Sequence, residues 1–251
     1  MTHTNTTRLA AAAVVVGLSG SLGSAAVLTQ TENFSGTPNI NPALTFNKFD
    51  PTLGTLDSIQ VSAQLTMTDG LLQVDNDGGG AASITTTLGG TLSLTSVDTG
   101  DGFVPLVNAA FGSVLSDITA AESRAFNLTG DDGDGAGFQS GGTDHDSFGP
   151  INETSNDSGT IASAVHGSWT GTGETFDITA EVNNLIDFGS VGGVEGSFSP
   201  LSAAGNVTIV YNYTPVPEPH EYALIAGLGL AAFAVIRRRL MARGPAETIS
   251  A

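Results

Sequence analysis

The chain has 251 residues, of which 25 are Asp or Glu and seven are Lys or Arg, so its net charge at pH 7 is −18. An acidic chain without a basic stripe repels the phosphates of nucleic acids, which excludes nucleic-acid binding. The sequence has no cysteine, which excludes disulfides, thiol catalysis and thiolate metal sites.

Residues 1–26 have the order of a secretory signal peptide. Arg8 precedes an apolar run at 9–18, and small residues follow up to Ala26, where a signal peptidase would cut. The alternative is an N-terminal membrane anchor, but a run of about ten apolar residues is too short to span a bilayer. The sequence therefore predicts export with cleavage near Ala26.

Residues 27–214 are predicted to form one all-β domain, an antiparallel sandwich or jelly roll. Alternating apolar and polar side chains in this region are typical of strands with one buried face. The strand patterns lie at 58–68, 83–97, 176–182 and 207–213. Asp69 and Gly70 predict a turn, and Gly89 with Gly90 is interpreted as dividing 83–97 into two strands.

Three other parts of this domain carry weaker patterns. The segment 106–122 predicts a short helix or a turn, and the segment around His166 and Trp169 predicts a strand. The segment 130–159 is rich in Gly, Asp and Ser and has no aliphatic side chain between Ala136 and Ile151. It therefore predicts a long surface loop.

Aspartates cluster in three places: they alternate with glycine at 131–134, they recur at 144–146, and they lie just before three glycines at 75–77. The candidate metal ligands are Asp75, Asp77, Asp131, Asp132, Asp134, Asp144 and Asp146. Ca²⁺ needs several hard oxygen ligands around a tight turn, which Asp-Gly segments supply, although the full EF-hand pattern is absent. Solvated acidic turns give the same pattern. If a metal binds here, the ligand chemistry predicts Ca²⁺, and no other cofactor is required.

The sequence gives no sign of an active site. The body contains only two histidines, His145 and His166, and neither belongs to a hydrolase, metalloprotease or phosphate-loop motif. Paired carboxylates for glycoside hydrolysis meet in space rather than in sequence, so they stay as an alternative. Sugar clefts use aromatic side chains, and the chain has one Trp and three Tyr. We predict that the protein is not an enzyme.

An uncharged segment, 222–236, precedes a basic cluster near the C-terminus. The cluster consists of Arg237, Arg238 and Arg239. As a helix, 15 residues span about 22 Å, less than the roughly 30 Å of a hydrocarbon core, so a buried core helix is one interpretation. The lack of charge and the arginines that follow favour a transmembrane helix. The basic tail, 237–251, would then lie in the cytoplasm and the body outside.

Residues 215–221 join the body to this segment and contain a proline-bounded motif, whose prolines disfavour helix and keep the chain extended. The motif consists of Val216, Pro217, Glu218 and Pro219. Followed by an apolar segment and an arginine cluster, it resembles the PEP-CTERM sorting signal of Gram-negative bacteria. The resemblance implies recognition by an exosortase, an integral-membrane cysteine protease or transpeptidase, with cutting near the motif. One departure is the tail after Arg239, which is longer than usual.

The body has a second resemblance. The string Phe-Asp-Pro-Thr-Leu-Gly-Thr-Leu at 49–56, with Phe34 and 46–49 before it and the strand 207–213 after it, is similar to the choice-of-anchor E domain. That group consists of exported domains carried on different C-terminal anchors. The resemblance covers 27–213 and implies a surface β-domain without family catalytic residues.

Together these features predict an exported protein of the cell surface or extracellular matrix, with a structural or adhesive role. Its predicted partners are an exosortase, the inner membrane, transiently or permanently, and extracellular polysaccharide. Two alternatives remain open, a calcium- or carbohydrate-binding module and a carboxylate-dependent glycoside hydrolase.

Overall fold

A computed structural model describes residues 24–97, 103–216 and 219–241. The predicted signal peptide as far as residue 23, Pro217 and Glu218 of the sorting motif, and the tail after residue 241 lie outside the described residues. The segment 25–216 is one compact unit. Its bounds are close to those of the predicted body, 27–214.

The body consists mainly of antiparallel strands. Their bounds are β1 Ala26–Gly36, β2 Ala43–Asn47, β3 Gly54–Asp69, β4 Leu72–Asn76, β5 Ala82–Val97, β6 Ile118–Leu128, β7 His145–Phe148, β8 Ile151–Thr160, β9 Thr175–Asp187, β10 Val194–Phe198 and β11 Leu201–Pro215. They form two four-stranded sheets, in the orders β1-β11-β3-β8 and β2-β9-β5-β6, and a three-stranded sheet, β10-β4-β7. The all-β prediction is confirmed.

The alternation seen in the sequence sets which side chains enter the core. Along β3, Ile59, Val61 and Leu65 are fully buried, while the polar residues between them lie on the outer face. The inward side chains of both large sheets join one hydrophobic cluster that also holds Trp169 and Tyr211. The predicted turn after β3 is confirmed, since Asp69 and Gly70 have φ of 64° and 68°.

The interpretation of Gly89 and Gly90 as a break between strands is wrong. Both lie inside β5, which continues from Ala82 to Val97. A Cβ on Gly89 would come within 2.3 Å of the Ala120 carbonyl oxygen on β6, and one on Gly90 within 2.9 Å of the Met67 side chain. The glycines therefore allow close approach of neighbouring chains rather than a reversal of direction.

In the segment 106–122, the turn alternative is confirmed and the helix is not found: an irregular stretch with a turn leads into β6, which begins at Ile118. The stretch around His166 is a 3-10 helix, Ser163–Trp169, and not a strand. Trp169 is fully buried there, and its Nε1–H donates to the Pro105 carbonyl at 3.3 Å.

The predicted loop 130–159 is a loop only in its first half. Its second half forms β7 and β8, and β8 pairs with β3 from Ile151 to Thr160. β8 is an edge strand rich in Asn, Thr and Ser, and of its side chains only Ile151 is buried. Such a strand lacks the apolar alternation that would have identified it.

Strand register fixes the two ends of the sandwich. Ala26 pairs with Tyr213 and Gly54 with Pro215, so the body begins and finishes at one end, which we call the base. At the opposite end Asp69 pairs with both Leu201 and Ile151. Short connections of two residues run from here to β4, β7 and β10. The three-stranded sheet is therefore joined to the end remote from the base.

The C-terminal helix α1, Pro219–Met241, includes the predicted helix 222–236. Among the residues that the structure describes, no helix is long and apolar enough to cross a membrane. The assignment of 222–236 as a transmembrane helix is therefore not supported. Within the helix, large apolar side chains are exposed, namely Leu228, Leu230, Phe233, Val235 and Ile236.

Candidate metal centre

Four carboxylates converge beside the three-stranded sheet, in the loop that connects β6 to β7. They belong to Asp131, Asp132, Asp134 and Asp144, and one oxygen from each lies within 4.8 Å of the other three. Asp131, Asp132 and Asp134 are exposed, whereas Asp144 is only 1% exposed. The group, which we call the aspartate centre, therefore has one buried side and one side open to solvent.

Asp144 is the member whose environment is hardest to satisfy without a cation. Its Oδ2 accepts a hydrogen bond from the backbone N–H of Asp132 at 3.0 Å. Its Oδ1 is buried and has no hydrogen-bond partner. Leaving a charged oxygen buried and unpaired is costly, because the loss of hydration is not replaced. A cation would supply the partner that Asp144 Oδ1 lacks.

Gly142 shows that two of these oxygens point into the same small space. A Cβ built on Gly142 would lie 2.4 Å from Asp132 Oδ2 and 2.8 Å from Asp144 Oδ1. Both oxygens therefore lie close to one point beside the glycine. Any side chain at position 142 would enter the centre, and glycine alone leaves it open.

The loop backbone holds the exposed aspartates in place. The Asp131 N–H donates to the Gly78 carbonyl at 2.9 Å, which ties the loop to the β4–β5 connection. Asp131 Oδ1 accepts from the Gly133 N–H at 2.8 Å, and Asp132 Oδ2 accepts from the Thr143 N–H at 3.0 Å. The two ends of the loop are therefore joined through the side chain of Asp132.

A second set of carboxylates fastens the middle of the same loop to the sheet. Three successive backbone N–H groups, at 137, 138 and 139, each donate to a different acid. The acceptors are Asp77 Oδ2 at 2.7 Å, Glu195 Oε2 at 2.9 Å and Asp75 Oδ2 at 2.6 Å. Asp75 is fully buried, and its Oδ1 is also without a partner. Asp75 and Asp77 therefore position the loop and lie outside the four-carboxylate group.

The negative charge of the centre is not balanced by the basic side chains of the body. The body contains only two basic residues, Lys48 and Arg124. Lys48 pairs with Glu174 at 2.8 Å, and the Arg124 guanidinium lies 5.4 Å from the ring centroid of Phe126. Desolvation raises the pKa of Asp134, and the charges of Asp132 and Asp144 raise it further.

The structure assembles part of the predicted ligand set. Asp146 lies on β7, where its Oδ1 accepts from the Ser147 N–H at 2.7 Å, and it is not in the centre. Sequence reasoning missed Glu195, which lies on β10 directly opposite Asp75. Only the pairing of two strands far apart in sequence brings it here, so no local pattern could have identified it.

The two histidines of the body lie in different parts of the fold. His145 is opposite Asp75 on β7, and its ring packs edge-on against Phe138 with centroids 6.0 Å apart. His166 is in the 3-10 helix, and its Nε2 is buried without a partner. Neither histidine is among the four residues of the aspartate centre.

Comparisons with known proteins do not assign the chain to a family. No protein-family model and no curated protein matches the chain. Among solved structures, infectious bursal disease virus, Gx strain, is similar at 13% identity with a TM-score of 0.20, covering 78% of this chain and 42% of that chain. The VP2 subviral particle of the same virus gives 14% identity and a TM-score of 0.19, covering 78% and 43%. The chain therefore spans about two fifths of the length of these viral proteins.

Proposed function

We propose that this chain is an exported, jelly-roll-like β-sandwich protein of the bacterial cell surface or extracellular matrix that binds Ca²⁺ at the aspartate centre. Its role is structural or adhesive, and it acts without catalysis. The observation that carries the calcium proposal is the buried Asp144 Oδ1, which has no partner and lies among three further carboxylates.

Ca²⁺ suits this centre better than other common metals. The donors are carboxylate oxygens, which hard cations prefer, and the soft thiolate ligands of many zinc sites are missing from the sequence. Ca²⁺ also accepts irregular geometry, whereas Mg²⁺ demands a near-ideal octahedron. Extracellular modules bind Ca²⁺ with dissociation constants of about 10⁻⁴ to 10⁻³ M, which fits an exposed site on an exported protein.

The bounds of the folded body support export and sorting. Strand β1 begins at Ala26, where the predicted signal peptide ends, and β11 finishes at Pro215, directly before the proline-bounded motif. Cutting at the two predicted sites would leave the strands of the body intact except for Ala26, the first residue of β1. The exposed apolar side chains of α1 support the proposal that this helix contacts lipid or a membrane enzyme such as an exosortase.

Titration calorimetry of the full-length chain with Ca²⁺ tests the metal proposal. We expect one binding event and a rise in melting temperature, because a cation that binds only the folded state stabilises it. Asp144→Asn should abolish both, while Asp146→Asn, two residues away and outside the centre, should keep both. Absence of heat and of thermal stabilisation in the wild-type chain would refute the proposal.

The C-terminal mass of the protein recovered from a Gram-negative host with an exosortase tests the sorting proposal. We expect a product that finishes close to the proline-bounded motif and retains β11. The same host without the exosortase should yield the uncut chain. Recovery of the uncut chain from both hosts would contradict the proposal.

A further inference from the structure

We propose that Ca²⁺ in the aspartate centre is a bridging ion, which binds a neutral glycan directly through two adjacent sugar hydroxyls. This inference rests on the proposed calcium function and adds the chemical class of ligand. It follows from the number of protein oxygens, their exposure and the charge around them.

The protein alone does not fill the coordination sphere of Ca²⁺. The centre brings one oxygen from each of four aspartates within 4.8 Å of one another. With one ligand oxygen from each, a Ca²⁺ ion that takes about six to eight oxygens would keep about two to four positions for water or for another molecule. Two neighbouring hydroxyls of a sugar ring supply two hard oxygens at once. They can replace two waters without changing the protein ligands.

Exposure decides which side of the ion is open. Asp144, 1% exposed, lies at the buried side, and its unpartnered Oδ1 lies close to the same point beside Gly142 as Asp132 Oδ2. Asp131, Asp132 and Asp134 are exposed, so they form the rim rather than a lid. A ligand can therefore reach the ion from solvent. The rim carboxylates can also accept hydrogen bonds from the sugar hydroxyls that bind the ion.

Charge selects a neutral ligand over an acidic one. Four carboxylates carry more negative charge than one Ca²⁺ neutralises, and the loop is also close to Asp75, Asp77 and Glu195. The whole chain has a net charge of −18. This negative surface would repel a uronate or sulfated polymer. It would not repel a neutral sugar diol, which carries no charge.

The position of the centre suits a protein that presents a ligand site away from its attachment. Both ends of the body lie at the base, where Ala26 pairs with Tyr213. The aspartate centre lies beside the three-stranded sheet, which is joined to the opposite end of the sandwich. A body held by its C-terminal segment would thus carry the centre on the side remote from that attachment.

Retention of the full-length chain on immobilised polysaccharides tests the inference. Mannan, galactomannan and dextran are the neutral probes, alginate is the acidic probe, and each is used with Ca²⁺ and with EGTA. We expect at least one neutral probe to retain the chain only with Ca²⁺. Periodate oxidation followed by borohydride reduction cleaves vicinal diols and should abolish that retention. Asp134→Asn should weaken it at least about tenfold, and Asp146→Asn should not change it.

The outcomes separate this inference from the proposed function. Calorimetric Ca²⁺ binding without retention on any neutral probe would overturn the glycan inference and leave the calcium function standing. Retention that survives EGTA, survives diol cleavage or occurs on alginate alone would also overturn it. Absence of Ca²⁺ binding would overturn both.

Discussion

The backbone N–H of Asp132 donates to Asp144 Oδ2 at 3.0 Å, and this bond leaves Asp144 Oδ1 buried with no partner. In Asp144→Asn, the side-chain oxygen can keep that bond while the amide group replaces the unpaired charge. We therefore expect the free energy of unfolding in EGTA to stay the same or to rise.

The same variant should lose the stabilisation that Ca²⁺ gives to the wild-type chain. For the wild-type chain, Ca²⁺ at ten times its dissociation constant should add about 1.4 kcal/mol to the free energy of unfolding. In Asp144→Asn this gain should disappear. Urea unfolding with Ca²⁺ and with EGTA measures both effects. An equal calcium gain in the variant would show that the ion does not bind at Asp144.

Gly142 and Gly133 form a matched pair for testing where the cation lies. Their φ values are +89° and +88°, so alanine carries a positive-φ penalty of about 1–2 kcal/mol at each position. A Cβ at Gly142 would meet Asp132 and Asp144, whereas one at Gly133 would meet nothing within 4 Å. We expect Gly142→Ala to lose Ca²⁺ binding by calorimetry and Gly133→Ala to keep it. Equal affinities in the two variants would place the cation away from Gly142.

Asp50 should make the stability of the body depend on acid pH. Its Oδ1 accepts from the Thr52 N–H at 2.9 Å and from the Thr172 hydroxyl at 3.2 Å. The Thr52 bond lowers the pKa of Asp50. A carboxyl with a lowered folded-state pKa stabilises above its unfolded pKa of about 3.9 and loses that contribution as pH falls through the folded value.

Asp50→Asn should therefore weaken the loss of stability on acidification. The wild-type urea midpoint, measured in EGTA, should fall further than that of the variant between about pH 5 and pH 2. Thr172→Ala removes only the smaller contact and should resemble the wild type more closely. Parallel pH profiles for the wild type and Asp50→Asn would contradict the assignment.

The sequence predicts several of the strands that have one buried and one wet face. The alternation at 58–68 identified β3, and the shorter patterns identified β9 and β11. Alternation did not identify β8, because this strand of mostly Asn, Thr and Ser places only Ile151 in the core. Periodicity reports burial, so a strand without buried side chains gives no signal.

The aspartate centre could be predicted only in part for a similar reason. Asp131, Asp132, Asp134 and Asp144 are near in sequence, and the Asp-Gly pattern identified them. Whether a carboxylate joins this group or holds the loop depends on pairing between distant strands. Pairing of β4 with β10 places Asp75 opposite Glu195, and these two acids and Asp77 accept from the backbone N–H groups of 137–139 instead.

Gly89 gives a direct test of the corrected interpretation of β5. A Cβ there would lie 2.3 Å from the Ala120 carbonyl oxygen and 2.4 Å from Ala121 Cα, so alanine must push β6 away from β5. We expect Gly89→Ala to lower the free energy of unfolding by about 1–3 kcal/mol, as overpacking does. Gly79→Ala is the control, since its Cβ would meet nothing within 4 Å. Urea unfolding in EGTA measures both variants. If Gly89 were in an open turn, as its sequence suggests, the two variants would be equally stable.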